Sequence, residues 1–203
     1  MDRLAVLIDG EFMKKTLAAR LRRVPRAEEI MAEVERITEA LGSPPLYRVF
    51  YYTANPLAGK VTNPLDRSEL DFARTDSFKK NRHLITSLEK MPDVAVRRGE
   101  LVARGWVLKA GVHERITKGG APNIRAGDLT PQIRQKGVDM RIGLDIASLA
   151  LKRLVTQIAV VTGDSDMIPA FKRARREGLR VYLDKLGTRG REALLVHADR
   201  VIS

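Results

Sequence analysis

An α/β fold, with a mostly parallel β-sheet flanked by helices on both faces, is what this sequence predicts, on three observations. Short unbroken runs of β-prone apolar residues, at 4–8 and 157–162, alternate with amphipathic stretches of helical length. A run that is apolar at every position belongs to a strand buried on both faces, the condition of a parallel sheet covered by helices. Two of these runs deliver aspartate just past their ends, at Asp9 and at Asp164, where an open parallel sheet places its ligands.

The elements follow in order. Leu4-Ala5-Val6-Leu7-Ile8 is the first strand, closed by Asp9-Gly10. Phe12, Leu17 and Leu21 then recur near helical spacing among Lys14, Lys15, Arg20, Arg22 and Arg23, which predicts a helix with a basic outer face that Pro25 ends. Ile30, Met31, Val34, Ile37 and Leu41 stripe a second helix over residues 27–41, stopped by Gly42-Ser43-Pro44-Pro45. Residues 47–52 are aromatic and β-branched, a second strand, and 55–71 read as loop. A helix is expected over 76–90 and a third strand from Val94. Residues 100–108, with glycines at 99, 105 and 111, have the character of an antiparallel pair. Residues 117–130 are rich in Gly, Pro, Asn and basic side chains without apolar period, so an exposed, mobile loop is expected there, a candidate substrate clamp. The last third alternates cleanly: helix 138–154, strand 157–162, helix 165–177 stopped by Gly178, strand 179–183, then a helical turn and edge strand within 194–202. With 44 % apolar residues in 203, the chain can bury one substantial core, and a single domain over 1–203 is expected.

Charge narrows the partners. Against 25 acidic residues stand 37 Lys and Arg, a net +12 that favours a polyanion over a neutral surface. The absence of cysteine excludes disulfides, thiolate zinc sites and cysteine nucleophiles. No apolar run approaches the roughly 18 residues of a membrane span, and the run at 4–8 is too short for a signal sequence, so a cytoplasmic location is expected.

The chemistry resides in aspartates. A single Asp at a helix start is usually a cap. Thr162-Gly163-Asp164-Ser165-Asp166, however, places two carboxylates within three residues opposite a third, Asp9, from the first strand, more than capping requires. Asp139 opens a helix after Gly137, with a surface ion pair to nearby Arg134, Lys136 or Arg141 as its plain alternative. Converging carboxylates repel one another, and a hard divalent cation with oxygen ligands relieves that repulsion, so Mg²⁺ or Mn²⁺ is the cofactor expected. The three histidines, His83, His113 and His197, lack paired metal spacing, which argues against zinc. Basic clusters at 14–23, 97–98, 115–125 and 172–176 flank these aspartates in sequence. Arg173 and Arg176 share one helix face that leads away from Asp164. Tyr51, Tyr52 and Trp106 are candidates for stacking on bases, with core packing the plainer assignment.

Lys136-Gly137-Val138-Asp139-Met140-Arg141-Ile142-Gly143-Leu144-Asp145 and Val160-Val161-Thr162-Gly163-Asp164-Ser165-Asp166-Met167-Ile168-Pro169 closely resemble the LabA-like, DUF88 branch of NYN-domain proteins, relatives of PIN-domain ribonucleases. Leu7-Ile8-Asp9-Gly10 and Ala198-Asp199-Arg200-Val201 extend the resemblance over nearly the whole chain. It implies a PIN-like, Rossmannoid sheet and a Mg²⁺ or Mn²⁺ site on the aspartates matched by Asp9, Asp139, Asp164 and Asp166. It also implies ribonuclease activity and a homodimer. RNA rather than DNA rests on the resemblance alone. Arg134, Lys136, Arg173 and Arg176 are the residues expected to hold nucleic acid, Lys136 nearest the scissile phosphate. Asp145 matches a further family position but does not share a helix face with Asp139, so it is expected either to orient a Lys or Arg or to pair with Arg141. One departure stands out: the family commonly reads Asp-Gly-x-Asn, and this chain reads Asp9-Gly10-Glu11-Phe12, leaving Glu11 as the polar substitute or the pocket altered. Two competing readings follow, a non-catalytic RNA- or protein-binding module on the same fold and a small-molecule phosphatase. The second is disfavoured because no Asp stands two residues after Asp9.

Overall fold

The computed structural model describes residues 2–117, 123–189 and 192–202. Seven strands form one sheet in the order β6-β5-β2-β1-β7-β8-β9, where β1 is Leu4–Asp9, β2 Leu46–Ala54, β5 Val94–Leu108, β6 Leu129–Lys136, β7 Gln157–Val161, β8 Arg180–Asp184 and β9 Arg200–Val201. Every neighbouring pair is parallel except β5 with β6. The predicted mostly parallel α/β sheet is therefore what the chain forms.

Strand β1 shows why its run is apolar throughout. Leu4, Val6 and Ile8 point into the core under α1 (Gly10–Leu21), α2 (Ala27–Ala40) and α3 (Asp76–Leu88), while Ala5 and Leu7 point into the core under α5 (Val138–Leu151) and α6 (Ile168–Arg176). Its five residues from Leu4 to Ile8 are fully buried. By area bookkeeping each large side chain so buried contributes about 2 kcal/mol against conformational entropy, which anchors the strand that carries Asp9.

Several segments differ from the sequence reading. Within 55–71, expected as loop, lies a small antiparallel hairpin of β3 (Lys60–Thr62) and β4 (Glu69–Asp71). The antiparallel character of 100–108 is real, but its partner is β6, in the register Glu100↔Lys136 to Leu108↔Leu129. Of the expected loop 117–130, the end forms a 3₁₀ turn at Ala126–Asp128 and the start of β6, Thr117 closes α4 (Ala110–Thr117), and 118–122 lie outside the described residues. Edge strand β6 is paired on one side only and carries Pro131, Gln132, Arg134, Gln135 and Lys136, so it lacks the burial that makes a strand legible. The helix expected over 165–177 begins as a 3₁₀ turn, Ser165–Met167, before α6. A four-residue helix, α7 (Glu192–Leu195), precedes β9. Among the described residues no helix is long and apolar enough to cross a membrane.

This topology sets the site. Pairing of β2 with β5 ends at Ala54↔Gly99, at the carboxyl edge of the sheet, and β5 runs on from Glu100 as a ribbon with β6. The returning β6 ends at Lys136, back at that edge, so α5 begins there and runs down to the start of β7. The start of α5 is thereby brought beside the ends of β1 and β7.

Candidate active site

Asp9, the last residue of β1, is also the N-cap of α1: its Oδ1 accepts from the backbone amides of Glu11 at 3.1 Å and Phe12 at 3.2 Å. Asp164, after β7, caps the 3₁₀ turn, its Oδ1 accepting from the amide of Asp166 at 3.0 Å. Both aspartates are thus caps, as local chemistry suggests, and each leaves its second oxygen without a hydrogen-bond partner among the described residues. Asp139 is different. Gly137 is the N-cap of α5, and Asp139 lies in the first turn with no ion pair to Arg134, Lys136 or Arg141 among the described residues. Arg141 donates instead to the carbonyl of Gly137 at 3.2 Å.

The four aspartates share one electrostatic neighbourhood. Asp9 is pushed up to about 6, chiefly by burial and in smaller part by Asp139 and Asp164, against the lowering pull of the Phe12 and Glu11 amides. Burial also raises Asp139, with Asp164 and Asp166 adding their repulsion. Asp139 and Asp166 line one groove together. Oxygen-only donors that repel one another and keep unpartnered oxygens suit a hard divalent cation. Among the described residues, however, no three Asp, Glu or His side chains are drawn close enough to hold one ion together. The donor chemistry fits a metal, and Asp9, Asp139, Asp164 and Asp166 are the residues that would hold it.

Close approaches explain both motif glycines. A Cβ at Gly10 would lie 2.4 Å from the Tyr52 carbonyl oxygen and 2.7 Å from the Tyr51 ring, and the Tyr51 hydroxyl donates to the Gly10 carbonyl at 3.2 Å. A Cβ at Gly163 would lie 2.7 Å from the Phe12 ring. Phe12, standing where the resembled family has Asn, thus wedges the start of α1 against the turn that carries Asp164. Glu11 is partly buried, which pushes its carboxyl up, but the Lys14 and Lys15 ammoniums at 2.6 and 3.4 Å outweigh that and hold it below the usual range. Lys14 also donates to Asn81 of α3 at 3.1 Å. Glu11 is therefore engaged with cations of its own helix.

Tyr51 and Tyr52 are core residues, as packing predicted, while Trp106 sits half-buried on the ribbon. Asp145 orients an arginine: it accepts from Arg97 at 3.1 Å and from the Tyr52 hydroxyl at 2.8 Å, and the Arg97 guanidinium lies over the Phe50 ring. Arg134 and Lys136 are exposed on one face of β6 and have no carboxylate partner among the described residues. Arg173 and Arg176 lie in the last turn of α6, the end away from Asp164, and Arg173 is paired with Glu177 at 2.9 Å.

Two supports escape a sequence reading. Thr162, fully buried, accepts from the Asp164 amide through its hydroxyl at 3.1 Å. Asp184, fully buried at the end of β8, is ion-paired with Arg36 of α2, accepts from the Leu186 amide at 2.7 Å, and through its carbonyl holds the Thr162 amide at 3.2 Å. An aspartate closing an apolar strand was a readable signal for Asp184; its partner, far away in sequence, was not.

Comparison with known proteins places this arrangement. An uncharacterized protein y4oD of Sinorhizobium fredii (strain NBRC 101917 / NGR234) is 35 % identical over 60 residues, which is 30 % of this chain and 28 % of that protein. The match therefore spans well under a third of the relative's length. A solved structure, a protein of unknown function, VPA0982, from Vibrio parahaemolyticus RIMD 2210633, superposes with a TM-score of 0.51 at 13 % identity, over 98 % of this chain and 91 % of that one, a likeness of fold alone. The NYN domain family model matches residues 3–203, and over that span the chain belongs to the NYN domain family.

Proposed function

We propose that this NYN domain is a metal-dependent ribonuclease that hydrolyses phosphodiester bonds at Asp9, Asp139, Asp164 and Asp166. The family is generally one of nucleases, which makes nucleic acid the substrate class. The observation that carries the reading is the convergence of these carboxylates at the carboxyl edge of the sheet: Asp9, pushed up chiefly by burial, is also raised by Asp139 and Asp164, and Asp139 by Asp164 and Asp166. Capping uses one oxygen of Asp9 and one of Asp164 and neither oxygen of Asp139, which leaves acceptors facing a shared neighbourhood beyond what the caps require.

Asp9, Asp139 and Asp164 would hold Mg²⁺ or Mn²⁺, with Asp166 a further ligand or the acceptor that orients the attacking water. A metal so bound lowers the pKa of a water and neutralises the departing oxygen. The chain's own residues supply position. The amides of Glu11, Phe12 and Asp166 fix one oxygen of Asp9 and of Asp164, and the Thr162 hydroxyl fixes the turn between them. Lys136 and Arg134, two residues apart on β6 and leading to Asp139, bind flanking phosphates as point charge and fork. The PIN-like relationship, the preference for RNA over DNA and a homodimer belong to this proposal.

The test is incubation of labelled single-stranded RNA, structured RNA and single-stranded DNA with the protein and Mg²⁺, Mn²⁺ or EDTA, beside the Asp9→Asn/Asp164→Asn variant. Metal-dependent RNA cleavage that the variant loses is the expected result. Binding of RNA without cleavage under any metal would transfer the protein to the binding-module reading, whose physical basis is Phe12 at the family's Asn position.

A further inference from the structure

Between α5 and the start of α6 runs a groove of about 370 Å³. It is lined by Asp139, Met140, Gly143 and Leu144 of α5 and by Asp166, Met167 and Pro169 of the segment that follows β7. The α5 wall is unusual for a free surface. Met140 is 68 % exposed and Leu144 59 %, and between them Gly143 occupies a helix interior where glycine costs backbone entropy that alanine would not. No atom lies within 4 Å of the position its Cβ would take, so nothing in this chain requires the glycine. With no side chain at Gly143, the α5 lining between Met140 and Leu144 is bare backbone.

Resting on the nuclease reading, we infer that this groove is the subsite for the nucleobase next to the scissile phosphate, and that Gly143, Met140 and Met167 determine how that base is accepted. Asp139 and Asp166 belong both to the proposed site and to the lining of the groove, so a phosphate bound at that site would bring its nucleoside to the groove. The walls are thioether and aliphatic, which suit the flat face of a base and offer no partner to a second phosphate. A second copy of this chain is the weaker occupant, because a protein surface seated on Met140 and Leu144 would cover Asp139 and Asp166 and shut the polyanion out.

The experiment titrates the full chain, in Mg²⁺, with adenosine 5′-monophosphate and with ribose 5-phosphate, which carries the phosphate and sugar without the base. Methyl-labelled methionine spectra are read, with Met31 and Met91 as internal references. The nucleotide should shift Met140 and Met167, ribose 5-phosphate should not, and the nucleotide should bind about tenfold more tightly, the scale of one stacked base. Gly143→Leu fills the groove with a good helix former, so it should melt no lower than wild type while bringing the affinity ratio to near one. Leu151→Asp, on the same helix but outside the groove, should keep the ratio. Equal binding of the two ligands, or an unchanged ratio in Gly143→Leu, overturns the subsite. RNA cleavage with metal alongside that result leaves the nuclease reading standing. Loss of both cleavage and binding removes both, and nucleotide binding in the groove without any RNA cleavage removes the nuclease and with it the subsite's place beside a scissile phosphate.

Discussion

The carboxylate of Asp9 gives one oxygen to the amides of Glu11 and Phe12 while burial, and in smaller part Asp139 and Asp164, disfavour its charge, so the same side chain both caps a helix and carries an electrostatic penalty. Asparagine caps as well as aspartate does, and Asp9→Asn therefore removes the repulsion while keeping the cap. Because the folded pKa of about 6 lies above the ordinary 3.8, the folded state favours the protonated carboxyl. The penalty is absent below pH 3.8, grows between 3.8 and 6, and is complete above that window. In EDTA the variant should be more stable than wild type by up to about 3 kcal/mol at pH 8, with the gain vanishing near pH 3.5, as measured by urea unfolding. Mg²⁺ should raise the unfolding midpoint of wild type and not of the variant. A variant no more stable than wild type at pH 8 would mean that Asp9 is already compensated in the metal-free chain. Stability gained where function is lost is the usual signature of a site built from mutually repelling groups.

At the scale of elements, the end of β8 is tied to α2 through the Asp184 and Arg36 pair, and the same Asp184 carbonyl holds the Thr162 amide beneath Asp164. Arg36→Met takes the Arg36 guanidinium away from a fully buried carboxylate that also accepts from the Leu186 amide, which should cost about 3 kcal/mol in thermal or urea unfolding. Adding Asp184→Asn removes the buried charge and keeps an acceptor for Leu186, so the double variant should recover much of that loss. The sequence made the central strands legible because β1 and β7 are apolar on both faces, and it made Asp9, Asp164 and Asp166 legible because they follow those strands. The hairpin β3–β4 and edge strand β6 were not legible: each pairs on one side only, and their alternation is broken by Pro131 and by charged residues. Thr162 and Arg36 were beyond reach for another reason. Their roles consist of contacts that only the folded chain makes, one of them across 148 positions.

Over the whole molecule the excess of +12 is distributed unevenly in what it leaves free. Arg97, Arg98, Arg115, Arg173 and Arg175 are each bound to a carboxylate, so they add little attraction for a distant phosphate. Arg134 and Lys136 carry no such partner among the described residues and stand on the ribbon that returns to Asp139. A strand bound along that path should release counterions chiefly at these two residues. The logarithm of RNA affinity against the logarithm of salt should therefore flatten by about 0.7 for each of Arg134→Ala and Lys136→Ala, the single-strand value per phosphate contact. Arg173→Ala should flatten it less, because Glu177 already neutralises that side chain. Arg176, at the far end of α6 beside Arg180 and Arg200, reports the strand's course: a full change of slope in Arg176→Ala means that the strand follows α6, and no change means that it leaves along β6. Fluorescence anisotropy of one labelled RNA across a salt series measures all four. Equal slopes in wild type, Arg134→Ala and Lys136→Ala would show that the ribbon does not touch the backbone and that the charge near Asp139 serves some other anion.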